Sequence, residues 1–244
     1  MKNIFNKISN KKKKTVTPKS GGWFKRSLRI LKKLIIVFLI ITILPVIIYK
    51  WVNPPITPLM LIRKMEGYSI NKEWKSMKDL SPNLPLAAVS AEDDKFLTHH
   101  GFDFDALKLA FDNNQKQEKI VKGGSTISQQ TAKNVFLWPH RDYIRKGLET
   151  YFTFLIELFW SKERIMEVYL NIVEMGEGVY GSEAASQLYF KKSASKLSKQ
   201  EAAAIISVLP NPRIFKVLKP SPRTANYRAA IVRRMNKLGK INFK

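Results

Sequence analysis

The 244-residue sequence has no cysteine and only three histidines. The first absence excludes a disulfide scaffold, a thiol nucleophile, a zinc–thiolate centre and an iron–sulfur cluster. His99, His100 and His140 lack ligand spacing of the HExxH type and read as hydrogen-bonded structural imidazoles. No glycine-rich segment ends in Gly-Lys-Ser/Thr, so a P-loop is excluded. Internal repeats are missing, and so is clean period-2 alternation of strand length. Acidic residues are missing from the whole of the first 65 positions, where Lys and Arg occur 15 times. What is present is apolar: 45% of residues are hydrophobic, enough for a real core and too many for a disordered chain.

Net charge is +24, but residues 66–244 hold 28 bases against 19 acids, or +9. Most of the excess is therefore N-terminal. A high pI alone fits nucleic acid. The neighbouring pattern fits a membrane better. Leu34–Tyr49 is uncharged over sixteen residues and is bracketed by Lys33 and Lys50. With Trp51, Val52 and the flanking lysine stems it is long enough to span a bilayer. Twelve bases precede Leu34, including the Lys11–Lys14 run, and place the N-terminus in the cytoplasm with the rest of the chain outside. No small-x-small cleavage site follows, which favours a retained anchor. Asn53-Pro54-Pro55 and Pro58 mark a stiff exit. Leu61, Ile62, Met65, Trp74 and Met77 fit a second membrane contact or ordinary packing, with packing slightly favoured. The expected division is a basic tail 1–33, an anchor 34–52, a membrane-proximal linker or contact 53–80, and a domain 81–244.

Helix signals dominate that domain. Asp142–Trp160 reads as one long helix, and Ser161 caps a second over Lys162–Leu170. Ser182 precedes a third. Ser198 and Glu201 form a capping box for a fourth, and Ser221-Pro222 opens a last helix that stops near Gly239. The polar stretch 112–122 reads as a mobile loop. The class is mostly α.

Three clusters could carry chemistry. An apolar stretch runs into Glu92, Asp93 and Asp94, which fits either a solvated acidic turn or a carboxylate with raised pKa suited to acid–base work. Gly123-Gly124-Ser125-Thr126-Ile127-Ser128-Gln129-Gln130 fits a close backbone approach to a ligand, or a glycine turn before a polar-faced helix. Arg141, Arg145 and Glu149 recur at i, i+4 and i+8, with Lys133 nearby. They fit a cationic cradle for phosphate with a carboxylate that orients it, or an ordinary surface ion pair.

Taken in order, Glu92-Asp93-x-x-Phe96-x-x-His99-x-Gly101-x-Asp103 and Gly123–Gln130 resemble the paired signature of the peptidoglycan glycosyltransferases, glycosyltransferase family 51. The likeness continues through Arg145-Lys146-x-x-Glu149, Lys162-x-x-Ile165-x-Glu167-x-Tyr169-Leu170-Asn171, and Gly178, Gly181, Ala184 and Tyr189-Phe190. Ser128 stands where the family often has threonine and keeps the hydroxyl. No transpeptidase-sized region follows, which resembles the monofunctional, single-anchor branch.

The resemblance implies a lysozyme-like, two-lobed helical fold behind one transmembrane helix. It implies processive, inverting polymerisation of lipid II into β-1,4 glycan, with release of undecaprenyl pyrophosphate. By matching, Glu92 is the base, and Lys133 and Arg141 stabilise the leaving pyrophosphate. Glu149 is the second essential carboxylate, which orients those cations or binds a divalent ion (Mg or Mn); no cofactor is obligatory. Ser125, Gln129 and Gln130 position substrate, and Asp93 and Arg145 are secondary members of the site. Implied partners are lipid II, the growing lipid-linked strand, the bacterial cytoplasmic membrane and other cell-wall synthesis or division proteins, with no nucleic acid. A pyrophosphate leaving group needs growing positive charge rather than a protonated acid, so one base plus Lys/Arg suits transfer better than hydrolysis. The rival expectations are a membrane-bound muramidase using Glu92 as acid, and a non-catalytic cell-wall scaffold.

Overall fold

The computed structural model describes residues 21–108, 124–140 and 142–243. The polar stretch 112–122 and Arg141 lie outside the described residues. The chain forms two compact units, Met1–Leu44 and Pro45–Lys244.

Helix α1 runs Gly21–Tyr49. It is longer than the sixteen uncharged residues because the basic segment from Gly21 to Lys33 is helical too. Its most apolar 18-residue stretch has a mean hydropathy of 2.7, and the span candidate that contains it, Trp23–Tyr49, has 27 residues. At 1.5 Å per residue that is about 40 Å, more than a bilayer's hydrocarbon core. In the first unit its large side chains, Ile35, Phe38 and Ile41 among them, are exposed, as suits a lipid-facing helix rather than a core helix.

In the second unit, the last turn of α1 leads to α2 (Pro58–Met65), capped by Thr57 with Pro58 at its first position. Then come β1 (Asn71–Lys72), a 3-10 turn at Met77–Asp79 and α3 (Asn83–Glu92). After a break in the described chain follow α4 (Ile127–Phe136), α5 (Tyr143–Phe159) and α6 (Lys162–Ile172). β2 (Glu174–Gly176) and β3 (Val179–Tyr180) precede α7 (Ser182–Phe190), α8 (Lys199–Ile206) and α9 (Pro222–Leu238). The expected caps at Ser161, Ser198 with Glu201, and Ser221 are in place, and Gly239 ends α9 at φ 76°; Asp142 caps α5 rather than beginning it, and Ser182 is the first residue of α7, preceded by Gly181.

The strands were not foreseen. Each is two or three residues long, too short to show alternation. They form one sheet in the order β1-β3-β2, with β1 parallel and β2 antiparallel to β3. Asn71 faces Val179 and Glu174 faces Tyr180, with a register shift before Gly176. The sheet ties the 66–80 segment into the domain. Asn171 strengthens the tie, accepting from Lys75 N–H and donating to Lys75 C=O, both at 2.8 Å. Glu167 accepts from Met77 N–H at 2.8 Å. The segment is therefore packed structure, although Leu61 and Met65 remain exposed.

The core has two halves that meet at α3. Leu84 through Ser90 are all buried, so α3 is apolar on every side and runs through the interior. It packs on α8 and α9, while α4 packs on α5 and α6. Phe136 of α4 stacks on Phe152 of α5 with ring centroids 4.5 Å apart. Close approach is enforced at Gly101: its φ is +88°, and a Cβ there would lie 2.9 Å from Thr153 Cγ2.

Candidate active site

Helix α3 ends in a carboxylate. Glu92 is its last residue, delivered by the buried helix to a cleft of about 550 Å³. Ser125 and the α4 residues Gln130 and Lys133 line one side. Gln130 and Lys133, three apart, share a helix face. On the other side stand Arg223, Tyr227 and Arg234 of α9. Leu209, Pro210 and Phe215 supply an apolar wall.

The Glu92 carboxylate is asymmetric. Oε2 accepts a hydrogen bond from Gln130 Nε2 at 3.0 Å. Oε1 is buried and has no hydrogen-bond partner. Burial pushes the Glu92 pKa above the ordinary carboxylate value. The Gln130 N–H and the Lys133 ammonium pull it back down, Asp93 pushes it up, and the Tyr227 hydroxyl opposes that. The Tyr227 hydroxyl donates to Ala91 C=O at 3.3 Å, and its own ionisation is pushed far above the usual tyrosine range by burial and by Glu92. Tyr227 is therefore a neutral donor at any working pH.

Asp93 holds this geometry together. It caps α3, and its Oδ2 accepts from the N–H of Ile127, the first residue of α4, at 2.9 Å. His99 Nδ1 accepts from Gly101 N–H at 3.1 Å, so Nε2 carries the proton and donates to Asp93 at 2.9 Å. One buried carboxylate thus fixes the Glu92-bearing end of α3 to the start of α4. His99 is structural, as its lack of ligand spacing implied.

The adjacent glutamines part ways. Gln129 joins Thr126 in a capping box: Thr126 Oγ1 accepts from Gln129 N–H, and Gln129 Oε1 accepts from Thr126 N–H. Gln129 is buried at that cap and does not line the cleft, whereas Gln130, about 100° further round the helix, does.

Arg145 and Glu149 form a buried pair on α5, not an exposed one. Arg145 Nη1 donates to Glu149 Oε2 at 2.7 Å, and Lys146 Nζ donates to Oε1. Neither Arg145 nor Glu149 is among the residues lining the Glu92 cleft. Both Glu149 oxygens already serve cations, so Glu149 is a poor ligand for a divalent ion; a metal there would have to displace Arg145 or Lys146. Among the described residues no group of three His, Asp or Glu is placed to hold a metal.

The sequence reading did not single out Arg223, Tyr227 or Arg234. They lie more than 120 residues beyond Glu92 and carry no local motif of their own. Tyr169 was noted only within a motif; it is fully buried, and its hydroxyl donates to Gln130 Oε1 at 3.3 Å.

Fold and cleft together have the make-up of a glycosyltransferase of the helical, lysozyme-like class: a buried carboxylate, a lysine beside it, and arginines lining the same cleft. The chain belongs to the transglycosylase family, whose sequence profile matches residues 60–236. It is 50% identical to a biosynthetic peptidoglycan transglycosylase of Caulobacter vibrioides, over 90% of this chain and 93% of that protein. It is 47% identical to one of Bacteroides thetaiotaomicron, over 87% of this chain and 88% of that protein. Against one from Haemophilus influenzae (strain Rd) it is 44% identical over 90% and 91%.

Proposed function

We propose that this protein is a membrane-anchored peptidoglycan glycosyltransferase that polymerises lipid II at the outer face of the bacterial cytoplasmic membrane. Glu92 takes the proton of the acceptor's 4-hydroxyl. The freed oxygen attacks the donor's anomeric carbon from the face opposite the diphosphate. The C1–O–phosphate bond breaks, the configuration inverts, and undecaprenyl pyrophosphate departs with the electron pair. Lys133 and Arg141 stabilise the charge that grows on the leaving diphosphate. Arg141 lies outside the described residues, and its role rests on the sequence resemblance alone. Glu149 acts through Arg145 and Lys146, keeping that pair of cations oriented. No step needs a metal at Glu149, whose oxygens are already committed.

The observation that supports this reading most directly is the unpartnered Oε1 of Glu92, buried beside the Lys133 ammonium and Gln130. A general base needs an uncommitted lone pair and gains from a pKa above that of an exposed carboxylate, the direction in which burial moves Glu92. The basic N-terminal segment supports the orientation, with the tail inside and the catalytic unit outside. Fixing enzyme and lipid substrate to one surface raises their effective concentration.

The test is to incubate the purified full-length chain with labelled lipid II, and separately with mature glycan, each with and without chelator. Polymer from lipid II that forms regardless of chelator is expected. Shortened glycan without polymer refutes the synthase reading in favour of a muramidase. Activity abolished by chelator and restored by Mg or Mn refutes the metal-free route.

A further inference from the structure

A primary carboxamide has a donor end and an acceptor end, and which end faces a carboxylate decides whether the contact attracts or repels. Gln130 presents its donor end to Glu92, Nε2 to Oε2 at 3.0 Å. Its acceptor end is occupied from the other side: the hydroxyl of Tyr169, on α6, donates to Gln130 Oε1 at 3.3 Å. The Tyr169 side chain is fully buried, and burial pushes its ionisation well above the usual tyrosine range, so the hydroxyl keeps its proton. We propose that Tyr169 is a positioning residue for the base, locking the Gln130 amide so that an N–H and never the carbonyl meets Glu92. The inference rests on Glu92 being the base.

The lock matters because a free amide would follow the protonation state of Glu92. Beside the carboxylate, either geometry of Gln130 is possible in principle, but only the N–H-facing one attracts. Once Glu92 has taken the acceptor's proton, a flipped amide would offer its carbonyl to that proton and hold it there. The base would then reset slowly between additions. With Tyr169 in place, flipping strands a buried hydroxyl proton without the acceptor it has, which is costly. Glu92 is thereby kept poised to ionise, with Oε2 held by the Gln130 N–H.

Other charged and titratable groups face Glu92 from each neighbouring element. Asp93 follows it on its own helix, Lys133 comes from α4, and Tyr227 with Arg234 comes from α9; Arg223 lines the same cleft. Each of them is left unchanged by a substitution at Tyr169 or Gln130, so the comparison among variants holds their identity fixed.

The experiment is a double-substitution cycle on the full-length chain in liposomes carrying lipid II, with kcat, KM and the pH–rate profile measured for each protein. Tyr169→Phe keeps the ring and removes only the hydroxyl. It is expected to lower kcat ~3–10-fold at neutral pH, leave KM within about twofold, and move the acid limb of kcat up by ~0.5–1 pH unit. The sign follows from the chemistry: losing a donor to the carboxylate disfavours ionisation, so more base is needed to reach the active form. Gln130→Met removes both ends of the amide and is expected to shift the acid limb the same way. Adding Tyr169→Phe to Gln130→Met should then shift it little further, because the hydrogen bond of the neutral Tyr169 hydroxyl is made to Gln130 and not to Glu92. A merely structural Tyr169 would not move the acid limb, or would move it equally in both backgrounds, and either result overturns the proposal. Glu92→Gln, run alongside, separates the two readings. If it remains active, the base assignment fails and the lock with it. If it is inactive while Tyr169→Phe keeps the parent pH profile, the lock alone fails.

Discussion

At Glu92, function and stability pull in opposite directions. Its folded-state pKa lies above its ordinary value because burial disfavours the charge. Such a group contributes stability that is fully present below the unfolded pKa and lost as pH rises through the folded one. Ionised Glu92 is therefore a cost to the fold at the pH where the enzyme must work. Glu92→Gln keeps the shape and the Gln130 contact while removing that charge. It is expected to abolish polymerisation by several orders of magnitude. It is also expected to raise the thermal midpoint at pH 8, at roughly 2–4 °C per kcal/mol gained. Below pH 4 the two proteins should melt together. A thermal-shift series across pH and a lipid II assay check the two halves independently; near-normal polymerisation rejects the base. Lys133 offers a contrasting case. If its charge partner develops as the diphosphate leaves, Lys133→Ala should lower kcat more than it weakens lipid II binding. Equal losses in kcat and binding would make it a ground-state contact. Its membership of the site was expected from the family resemblance rather than from spacing, and the structure sets it on one helix face with Gln130. Gln129 shows where legibility failed. The Thr126-x-x-Gln129 spacing is a capping-box signature, and that spacing was the available signal for a local role.

At the scale of elements, α4 is the working part, since it carries Gln130 and Lys133 and its N-terminus is gripped three ways. Thr126 caps it, Asp93 accepts from Ile127 N–H, and Thr126 Oγ1 donates to Gly101 C=O at 2.7 Å. Thr126→Ala removes the cap and the Gly101 bond together. It should cost about 1–2 kcal/mol and reduce activity more than a surface cap of equal strength, since the start of α4 then loosens beside the cleft. The control is Ser198→Ala at the α8 cap: a similar loss in the denaturation midpoint with activity retained. If both variants lose activity in proportion to stability, α4 has no special role. Most helices were legible because their caps and apolar faces are local features. The facing wall was not. Tyr227 and Arg234 lie on α9, and only tertiary packing of α9 against α3 brings them to Glu92. The three strands escaped for a different reason, being short pairings created by the turn at Gly178 and the clamp at Asn171 rather than by any period in the sequence.

For the whole molecule the open matter is where the catalytic unit starts. Composition placed the end of the anchor at Val52, but the compact unit starts at Pro45. Residues 45–52 are bonded into it. Trp160 Nε1 donates to Val46 C=O at 2.7 Å, and Tyr49 stacks on Phe136 at the end of α4 with ring centroids 6.1 Å apart. The Arg164 guanidinium donates to Tyr49 C=O at 2.9 Å and to Val52 C=O at 3.0 Å. The Tyr49 ring thus meets the last residue of the helix that carries Gln130 and Lys133, and the other bonds tie residues 46–52 to Trp160 and α6. Hydropathy cannot show this, because the same apolar side chains suit a membrane or a protein core. Two truncations separate the roles. Removing residues 1–44 should leave a domain that folds with a sharp thermal transition and acts slowly on lipid II in liposomes, having lost only its confinement to the surface. Removing residues 1–52 strands the Trp160 N–H and the buried part of Arg164. It should melt several degrees lower and lose activity even on detergent-dispersed lipid II, where anchoring no longer matters. If both truncations melt alike, the exit turn is only a tether. If the shorter deletion is the one that unfolds, the catalytic unit starts earlier than Pro45.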